Sequence, residues 1–172
     1  PGHEPNSQLG PLIDHANRDR LARLAAEASQ HGKVWLQGGV PTGPLSQGAF
    51  VSPTLVEVSD LSSKYSQEEL FGPVLVIERY RDQADAIARA NATRYGLAAS
   101  VWTSDRAVGQ AMARELKSGT VWMNTHNKLF PEAETGGFRE SGYGRLHGVE
   151  GLNDFLSTKH VYWESQPIGV VR

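Results

Sequence analysis

The chain has 172 residues, 39% of them hydrophobic and 21% charged, which is enough for an ordinary globular domain and excludes a disordered tail. The formal net charge of −2 comes from interspersed acidic and basic residues, so no basic patch is available to neutralise a nucleic acid backbone. No apolar run approaches the ~20 residues that cross a bilayer, and no signal segment opens the chain. We expect a soluble cytoplasmic protein, with neither nucleic acid nor membrane as a partner.

The sequence contains no cysteine, which excludes disulfide bonds, thiolate metal sites and thiol nucleophiles within these residues. Its six histidines show no spacing typical of metal ligands, so no metal site is expected. The chain starts at Pro1 rather than Met, which indicates a processed or trimmed chain or part of a longer protein. Residues 1–9 have no apolar periodicity and are predicted to be a flexible lead-in.

The first predicted helix runs from Asp14 to Gly32, because apolar residues recur there at spacings of three and four. Asp14 is a suitable N-cap, and Gly32 is a suitable end. Two short strands are predicted at residues 34–36 and 49–51, separated by an exposed loop rich in glycine and proline.

Strand-like and helix-like segments alternate through the middle of the chain, with short connections between them. They are predicted at residues 73–80, 82–91, 97–103, 105–118 and 120–124, in the order β-α-β-α-β. Such alternation is typical of parallel strands joined by right-handed crossovers. The sequence therefore predicts an α/β fold with a mostly parallel sheet.

Beyond Asn124 the pattern changes to a glycine-rich loop and a short helix. The apolar residues of that helix, Val149, Leu152 and Phe155, are predicted to face inward. Residues 160–164 predict a last strand, and its apolar edge would need a partner.

Two motifs in the glycine-rich loop fail on spacing. The run from Gly142 to Gly148 has one residue too many for G-x-G-x-x-G and follows no strand. Ser141 lacks the G-x-S-x-G frame, because Arg139 stands two residues before it. Neither a Rossmann phosphate loop nor a serine hydrolase is expected.

Four other blocks of sequence carry a family resemblance. They are E-E-L-F-G-P-V at residues 68–74, Y-G-L-A-A-S-V at 95–101, G-T-V-W-M-N at 119–124 and G-G-F-R-E-S-G-Y-G-R at 136–145. Taken alone, the first block is better explained by a solvated acidic pair and a core phenylalanine in a turn. In their order and spacing, the four blocks resemble the aldehyde dehydrogenase superfamily, from about Gly10 to Trp163. The resemblance implies a fold like the catalytic domain of that family.

In that family a cysteine thiolate attacks the aldehyde, hydride passes to the nicotinamide of NAD or NADP, and water activated by a glutamate hydrolyses the resulting thioester. The resemblance places the cysteine, the base and the dinucleotide-binding domain upstream of this segment. No catalytic residue is therefore expected here, and a missing N-terminal cofactor-binding segment or partner chain is implied. This chain alone is predicted to be inactive, with weak or no cofactor binding. The missing motifs of the family all belong to one contiguous upstream stretch. This favours truncation of the chain over gradual loss of the motifs by mutation, which would alter the remaining blocks as well.

The resemblance also assigns four residues to cofactor binding. Glu69 matches the family glutamate that accepts hydrogen bonds from the nicotinamide ribose, and Phe71 matches the aromatic residue beside that ribose. Asn17 and Arg20 match positions that touch the ribose groups of the cofactor. A solvated helix face would explain these two polar residues equally well.

Four further residues are assigned by resemblance to the substrate tunnel. Thr135 stands where the family often has an aromatic residue, which implies a wider or more polar tunnel mouth. His126, Asn127 and Phe130 lie in a loop that borders the tunnel, although each could equally be a packing or surface residue. Asn124 is expected to hold backbone geometry by hydrogen bonding. Structural roles are also expected for Ser141, Gly142, Gly144 and Arg145.

The predicted organisation is a flexible lead-in at residues 1–9, the C-terminal part of the catalytic domain at 10–156, and an oligomerisation strand and tail at 157–172. Residues 160–164 resemble a strand that adds to a neighbouring subunit's sheet, which implies a homo-oligomer. The expected function is that of part of an enzyme that oxidises a small-molecule aldehyde to a carboxylic acid with NAD or NADP. The alternative is a stand-alone, non-catalytic binding or assembly module derived from that domain.

Overall fold

The computed structural model describes residues 5–165, which divide into two compact units between Arg94 and Tyr95. The first unit contains α1 (His15–Glu27), β1 (Lys33–Leu36), β2 (Thr54–Glu57), α2 (Lys64–Gln67), β3 (Val74–Ile77) and α3 (Gln83–Ala90). The second contains β4 (Ala98–Val101), α4 (Arg106–Glu115) and β5 (Thr120–Met123). Short 3-10 turns cover Ala28–Gln30, Gly43–Gln47, Arg139–Ser141 and Glu150–Phe155. The domain boundaries predicted from the sequence stay predictions.

A three-stranded sheet of order β1-β2-β3 lies in the first unit. Strand β2 is antiparallel to β1 and parallel to β3, with Thr54 opposite Val74. The Tyr65 hydroxyl on α2 donates a hydrogen bond to the Leu24 carbonyl on α1 at 2.6 Å. The buried core of this unit consists of Leu21, Leu24, Ala28, Val51, Val56, Val58, Tyr65 and Leu70.

Helix α1 begins where the sequence predicts, because the Asp14 carboxylate accepts the Asn17 backbone N–H at 2.7 Å. The α-helix ends at Glu27 and continues as a 3-10 turn, short of the predicted end at Gly32. Gly32 serves a different purpose, since a Cβ there would lie 2.1 Å from the Glu57 backbone oxygen. Glycine thus permits the start of β1 to approach the end of β2.

The strand predicted at residues 49–51 is wrong, and β2 lies further along the chain, at Thr54–Glu57. Val51 is a core residue, which explains the apolar character of its segment, but the segment forms no strand. In β2 the side chains of Thr54 and Val56 are buried and alternate with partly exposed neighbours. A threonine at the inward position hides this alternation from a search for apolar residues.

In the second unit, β4 and β5 form a parallel pair on either side of α4 in the chain. The Asp105 carboxylate caps α4 by accepting the N–H groups of Ala107 and Val108 at 2.8 and 3.1 Å. The helix passes close to β5 at Gly109, where a Cβ would lie 3.3 Å from the Met123 sulfur. This pair and β2–β3 confirm the predicted α/β fold, although the β-α-β-α-β series is divided over two sheets.

The short helix predicted near Val149 is a 3-10 turn, and its apolar residues do not face inward as predicted. Val149, Leu152 and Phe155 are 73%, 60% and 87% exposed. Residues 160–164 form no strand within the chain, and their apolar side chains are exposed. Periodicity identified the apolar face of this segment correctly, but no other part of residues 5–165 covers it.

Candidate functional site

No helix among residues 5–165 has the length and apolar character needed to cross a membrane. In the same range, no group of histidine, aspartate and glutamate side chains could hold a metal ion. Because the sequence contains no cysteine, a ligand at the surface would be bound by carboxylate, amide, hydroxyl, imidazole, aromatic and cationic side chains.

The loop between α2 and β3, residues 68–73, presents three side chains to solvent, those of Glu68, Glu69 and Phe71. Glu69 is exposed and Phe71 is 72% exposed, whereas Leu70 between them is buried and belongs to the core. Leu70 therefore anchors the loop. The carboxylate and the ring on either side of it are left available to a ligand.

The backbone of Phe71 is strained. Its φ of 53° lies in the left-handed region that residues other than glycine rarely occupy. Such a conformation costs about 1–3 kcal/mol and persists only where surrounding contacts enforce it. Burial of the ring does not offset this cost, because the ring is exposed. Contacts made by the loop backbone must therefore maintain this conformation.

Gly72 brings the loop directly against α1. A Cβ at this position would lie 2.1 Å from Cδ1 of Leu21, whose side chain is fully buried. The next residue, Pro73, accepts the Thr54 backbone N–H at 2.9 Å and joins the loop to the sheet. Only glycine permits this close contact between loop and helix.

Asn17 and Arg20 lie one turn apart on α1 and bond to the backbone of the same loop. Nη2 of Arg20 donates to the Leu70 carbonyl at 2.6 Å and to Oδ1 of Asn17 at 2.7 Å. Nδ2 of Asn17 donates to the Phe71 carbonyl at 3.4 Å. Both side chains are partly buried, so they do not form a solvated helix face. The structure thus brings the four predicted cofactor residues together, two on the loop and two holding it.

Arg20→Met is expected to loosen this loop, because methionine retains an apolar stem but donates no hydrogen bond. Losing a charged hydrogen bond of this kind costs about 1.5–3 kcal/mol, so backbone amides 69–72 should exchange hydrogen about tenfold faster or more. Hydrogen exchange followed by mass spectrometry measures the change. Arg23→Met, at an exposed position of the same helix, is the control. Equal acceleration in both variants would contradict the holding role of Arg20.

His126, Asn127 and Phe130, three of the four residues predicted to line the substrate tunnel, follow β5 in an exposed segment. Nδ1 of His126 lies 2.7 Å from the Ser100 hydroxyl on β4, and its ring packs edge-on against Trp122 with 4.9 Å between centroids. Asn127 has a φ of 55°, and Phe130 is 58% exposed. Their contact with substrate stays a prediction.

Thr135, the fourth tunnel residue, pairs with Leu146 through two backbone hydrogen bonds of 2.8 and 2.7 Å. Its hydroxyl lies 3.2 Å from Nδ1 of His147. Thr135 and His126 therefore bond to different partners. The contacts of Ser100 with His126 and of His147 with Thr135 were not predicted, although a serine in the otherwise apolar strand β4 is a detectable signal.

Asn124 holds backbone geometry, as predicted. Its side-chain oxygen accepts the Thr103 N–H at 2.9 Å, and its side-chain nitrogen donates to the Thr103 carbonyl at 2.8 Å. The Ser141 hydroxyl accepts the Gly96 N–H at 2.9 Å. Arg145 donates to two backbone carbonyls of the glycine-rich loop, at 3.1 and 2.6 Å. These side chains hold the backbone of the loop and of the segments beside it.

Comparison with known proteins identifies the family of this chain. The model of the aldehyde dehydrogenase family matches residues 1–161. The chain belongs to this family. It is 35% identical over 158 residues to a betaine aldehyde dehydrogenase of Sinorhizobium fredii, covering 91% of this chain and 32% of that protein. It is also 35% identical over 161 residues to a phenylacetaldehyde dehydrogenase of Pseudomonas fluorescens, covering 92% of this chain and 32% of the relative.

Solved aldehyde dehydrogenase structures share the fold. The betaine aldehyde dehydrogenase of Staphylococcus aureus in complex with NAD+ superimposes with a TM-score of 0.89 and 34% identity, covering 99% of this chain and 34% of that one. The aldehyde dehydrogenase of Mycobacterium tuberculosis complexed with NAD+ gives 0.81 and 37%, covering 88% and 31%. This family member thus spans about a third of the length of the relatives it matches.

Proposed function

We propose that the chain is part of an enzyme that oxidises an aldehyde to a carboxylic acid with NAD or NADP, through a thioester on a cysteine outside residues 1–172. The observation that carries the proposal is the loop 68–73, on which Glu69 and Phe71 are exposed while α1 holds the backbone between them. The family supplies the reaction, and two of its solved structures are named as NAD+ complexes.

The side chains on this loop fit one end of a nicotinamide dinucleotide. The Glu69 carboxylate has two acceptor oxygens, which suit the two hydroxyl donors of a ribose diol. The exposed Phe71 ring offers an apolar face to the sugar. When bound, the cofactor accepts hydride from the aldehyde carbon. Two residues at one end of a large ligand support only weak binding by this chain alone.

Asn17 and Arg20 act in this proposal by holding the loop. Their donors are directed to the carbonyls of Leu70 and Phe71, where they oppose the strain at Phe71. We infer that they set the position of Glu69 and Phe71 toward the cofactor. This indirect role differs from the direct contact that the resemblance implies.

The substrate in this proposal is a small-molecule aldehyde that approaches past Thr135, His126, Asn127 and Phe130. A threonine hydroxyl and an imidazole give this set a polar character beside the Phe130 ring. Relatives that match the chain are named betaine aldehyde dehydrogenase, aminoaldehyde dehydrogenase and phenylacetaldehyde dehydrogenase. The aldehydes in these names include cationic and aromatic ones. The proposed substrate is therefore an aldehyde of either kind, and the proposed cofactor is NAD or NADP.

Two partners follow from the proposal. One is the segment or chain that carries the cysteine, the base and the cofactor fold. The other is a second copy of the subunit, which would cover the exposed Val161, Tyr162 and Trp163 on residues 160–164. Location in the cytoplasm stays a prediction from the sequence.

A stand-alone, non-catalytic binding or assembly module is the second candidate. The observation in its favour is the absence of cysteine from a sequence whose described part folds into two compact units. Such a module would keep the exposed apolar segment at residues 160–164 for assembly. A non-catalytic module does not explain why α1 holds the loop that carries Phe71 in a strained conformation.

The mass of the native protein distinguishes these candidates. An antibody raised against the chain should detect, in the source cells, a polypeptide about three times the 18.8 kDa of this chain, or a complex with a cysteine-bearing chain. Protein captured from those cells should reduce NAD+ or NADP+ when betaine aldehyde or phenylacetaldehyde is added. A native species of 18.8 kDa that captures no second chain and reduces neither cofactor would favour the non-catalytic module.

A further inference from the structure

A cavity of about 300 Å³ opens in the first unit at the carboxyl ends of the parallel strands β2 and β3. Glu57 and Ser59 line it from the end of β2, Arg79 from beyond β3, and Arg89 from α3. Gly32 and Lys33 line it from the start of β1. The carboxyl edge of parallel strands is where open α/β sheets bind ligands.

The lining carries three cationic side chains and one carboxylate, which leaves it net positive. That carboxylate, Glu57, is already paired. It accepts Trp35 Nε1 at 2.8 Å and Arg79 Nη2 at 3.2 Å, and the hydrogen bond from Arg79 is the main reason that its pKa lies below the ordinary value. Glu57 therefore holds Arg79 at the cavity and leaves Nη1 of that guanidinium for a ligand.

The other two cations are also held in place. Nε of Arg89 donates to the Asp85 carboxylate at 3.2 Å, and Nη1 lies 3.9 Å from Glu78. Nζ of Lys33 lies 3.6 Å from the centroid of the Trp35 ring. Neither Asp85 nor Glu78 lines the cavity, so their charges position Arg89 without occupying the space. Ser59 adds a hydroxyl donor.

The volume of the cavity limits the size of a ligand that it can hold. Ligand pockets span about 300–1,000 Å³, and this cavity lies at the lower end of that range. The space is too small for a dinucleotide, but it has room for a phosphate group or a short carboxylate. Arginine side chains recognise both groups through paired N–H donors.

We propose that this cavity binds a small oxyanion, a phosphate or a short carboxylate, between Arg79, Arg89 and Lys33. The site is separate from the loop 68–73 and goes beyond the proposed oxidation of aldehydes. It requires neither cysteine nor cofactor, so it is testable on this chain by itself.

Amide NMR spectra of the chain, recorded with increasing sodium phosphate or sodium succinate at ionic strength matched by sodium chloride, test the proposal. The expected result is saturable shifts of the Gly32, Val58 and Ser59 amides, with a dissociation constant on the order of 1 mM. A response to phosphate alone would support a phosphorylated ligand, and a response to succinate alone a carboxylate. Responses to both would support a general oxyanion site, and no saturable response to either would overturn the proposal.

Two substitutions with opposite expected effects on oxyanion affinity show whether the amide NMR shifts arise from binding at the named side chains. Arg79→Gln should weaken binding about tenfold, because a charged hydrogen bond to the oxyanion is lost. Glu57→Gln should strengthen binding, because it removes a negative charge from the lining while the glutamine side-chain oxygen can still accept a hydrogen bond from Arg79. Arg114→Gln, an equal change of charge at an exposed position on α4, is the control. Equal weakening by Arg79→Gln and Arg114→Gln would overturn the proposal as unspecific attraction.

Discussion

Leu21→Ala is expected to lower the free energy of unfolding of the first unit by about 2–5 kcal/mol, the range for a buried leucine that leaves a cavity. The Leu21 side chain is fully buried on α1 and packs against the loop at Gly72. Its removal takes away a core contact and the surface on which the loop rests. Urea denaturation followed by circular dichroism measures the loss.

Leu75→Ala is the matched control for this prediction, because Leu75 is in the same unit but 66% exposed. Its effect should stay within about 0.5 kcal/mol. Similar losses in the two variants would contradict the assignment of Leu21 to the core.

A double-mutant cycle tests the contact itself. Gly72→Ala alone should destabilise the unit, because its Cβ would lie 2.1 Å from the Leu21 side chain. In the Leu21→Ala background the same substitution meets empty space, so its cost should fall by about 1 kcal/mol or more. If the two costs are additive, a Cβ at position 72 and the Leu21 side chain are not in steric contact.

The purified chain is expected to oxidise no aldehyde, because it contains no cysteine to attack the carbonyl carbon. Enzymes accelerate their reactions by at least about 10⁶-fold, so the loss of the nucleophile should reduce the rate to that of a blank. Absorbance at about 340 nm, where reduced nicotinamide absorbs, is followed with NAD+ or NADP+ and betaine aldehyde or phenylacetaldehyde. The betaine aldehyde dehydrogenase of Staphylococcus aureus is a positive control for the assay with betaine aldehyde.

An aldehyde-dependent rate that rises in proportion to the concentration of this chain would overturn the prediction. Calorimetry provides a second check, because Glu69 and Phe71 form only one end of a dinucleotide site. Heat of binding should be weak or undetectable. Micromolar affinity for NAD+ would show that this chain holds far more of the cofactor site than these two side chains.

Part of the fold could be predicted because its signals are local. The Asp14 cap of α1 and the alternation of strands and helices each depend on residues close together in the chain. The strand β2 could not be predicted in the same way. Its inward positions include Thr54, whose side chain is buried and whose hydroxyl accepts the Gly38 backbone N–H at 3.2 Å, a partner 16 positions away.

The segment from Val149 to Phe155 shows a second limit. Its apolar spacing was read correctly, but the prediction that these side chains face inward was wrong. Periodicity reveals that a segment has an apolar face and does not reveal which element covers it. The same limit applies to the apolar residues at 160–164, whose proposed partner is another subunit.

The sequence by itself determined the family, the α/β class and the loop that presents Glu69 and Phe71, because contiguous blocks of residues carry these features. Only the tertiary structure decided how that loop is held. Arg20 reaches the Leu70 carbonyl across 50 positions of sequence, and Leu21 meets Gly72 through close packing. The cavity beside Arg79 and Arg89 also depends on the pairing of β2 with β3. Such contacts join segments that are distant in the chain, and the pattern within one segment does not identify its partner.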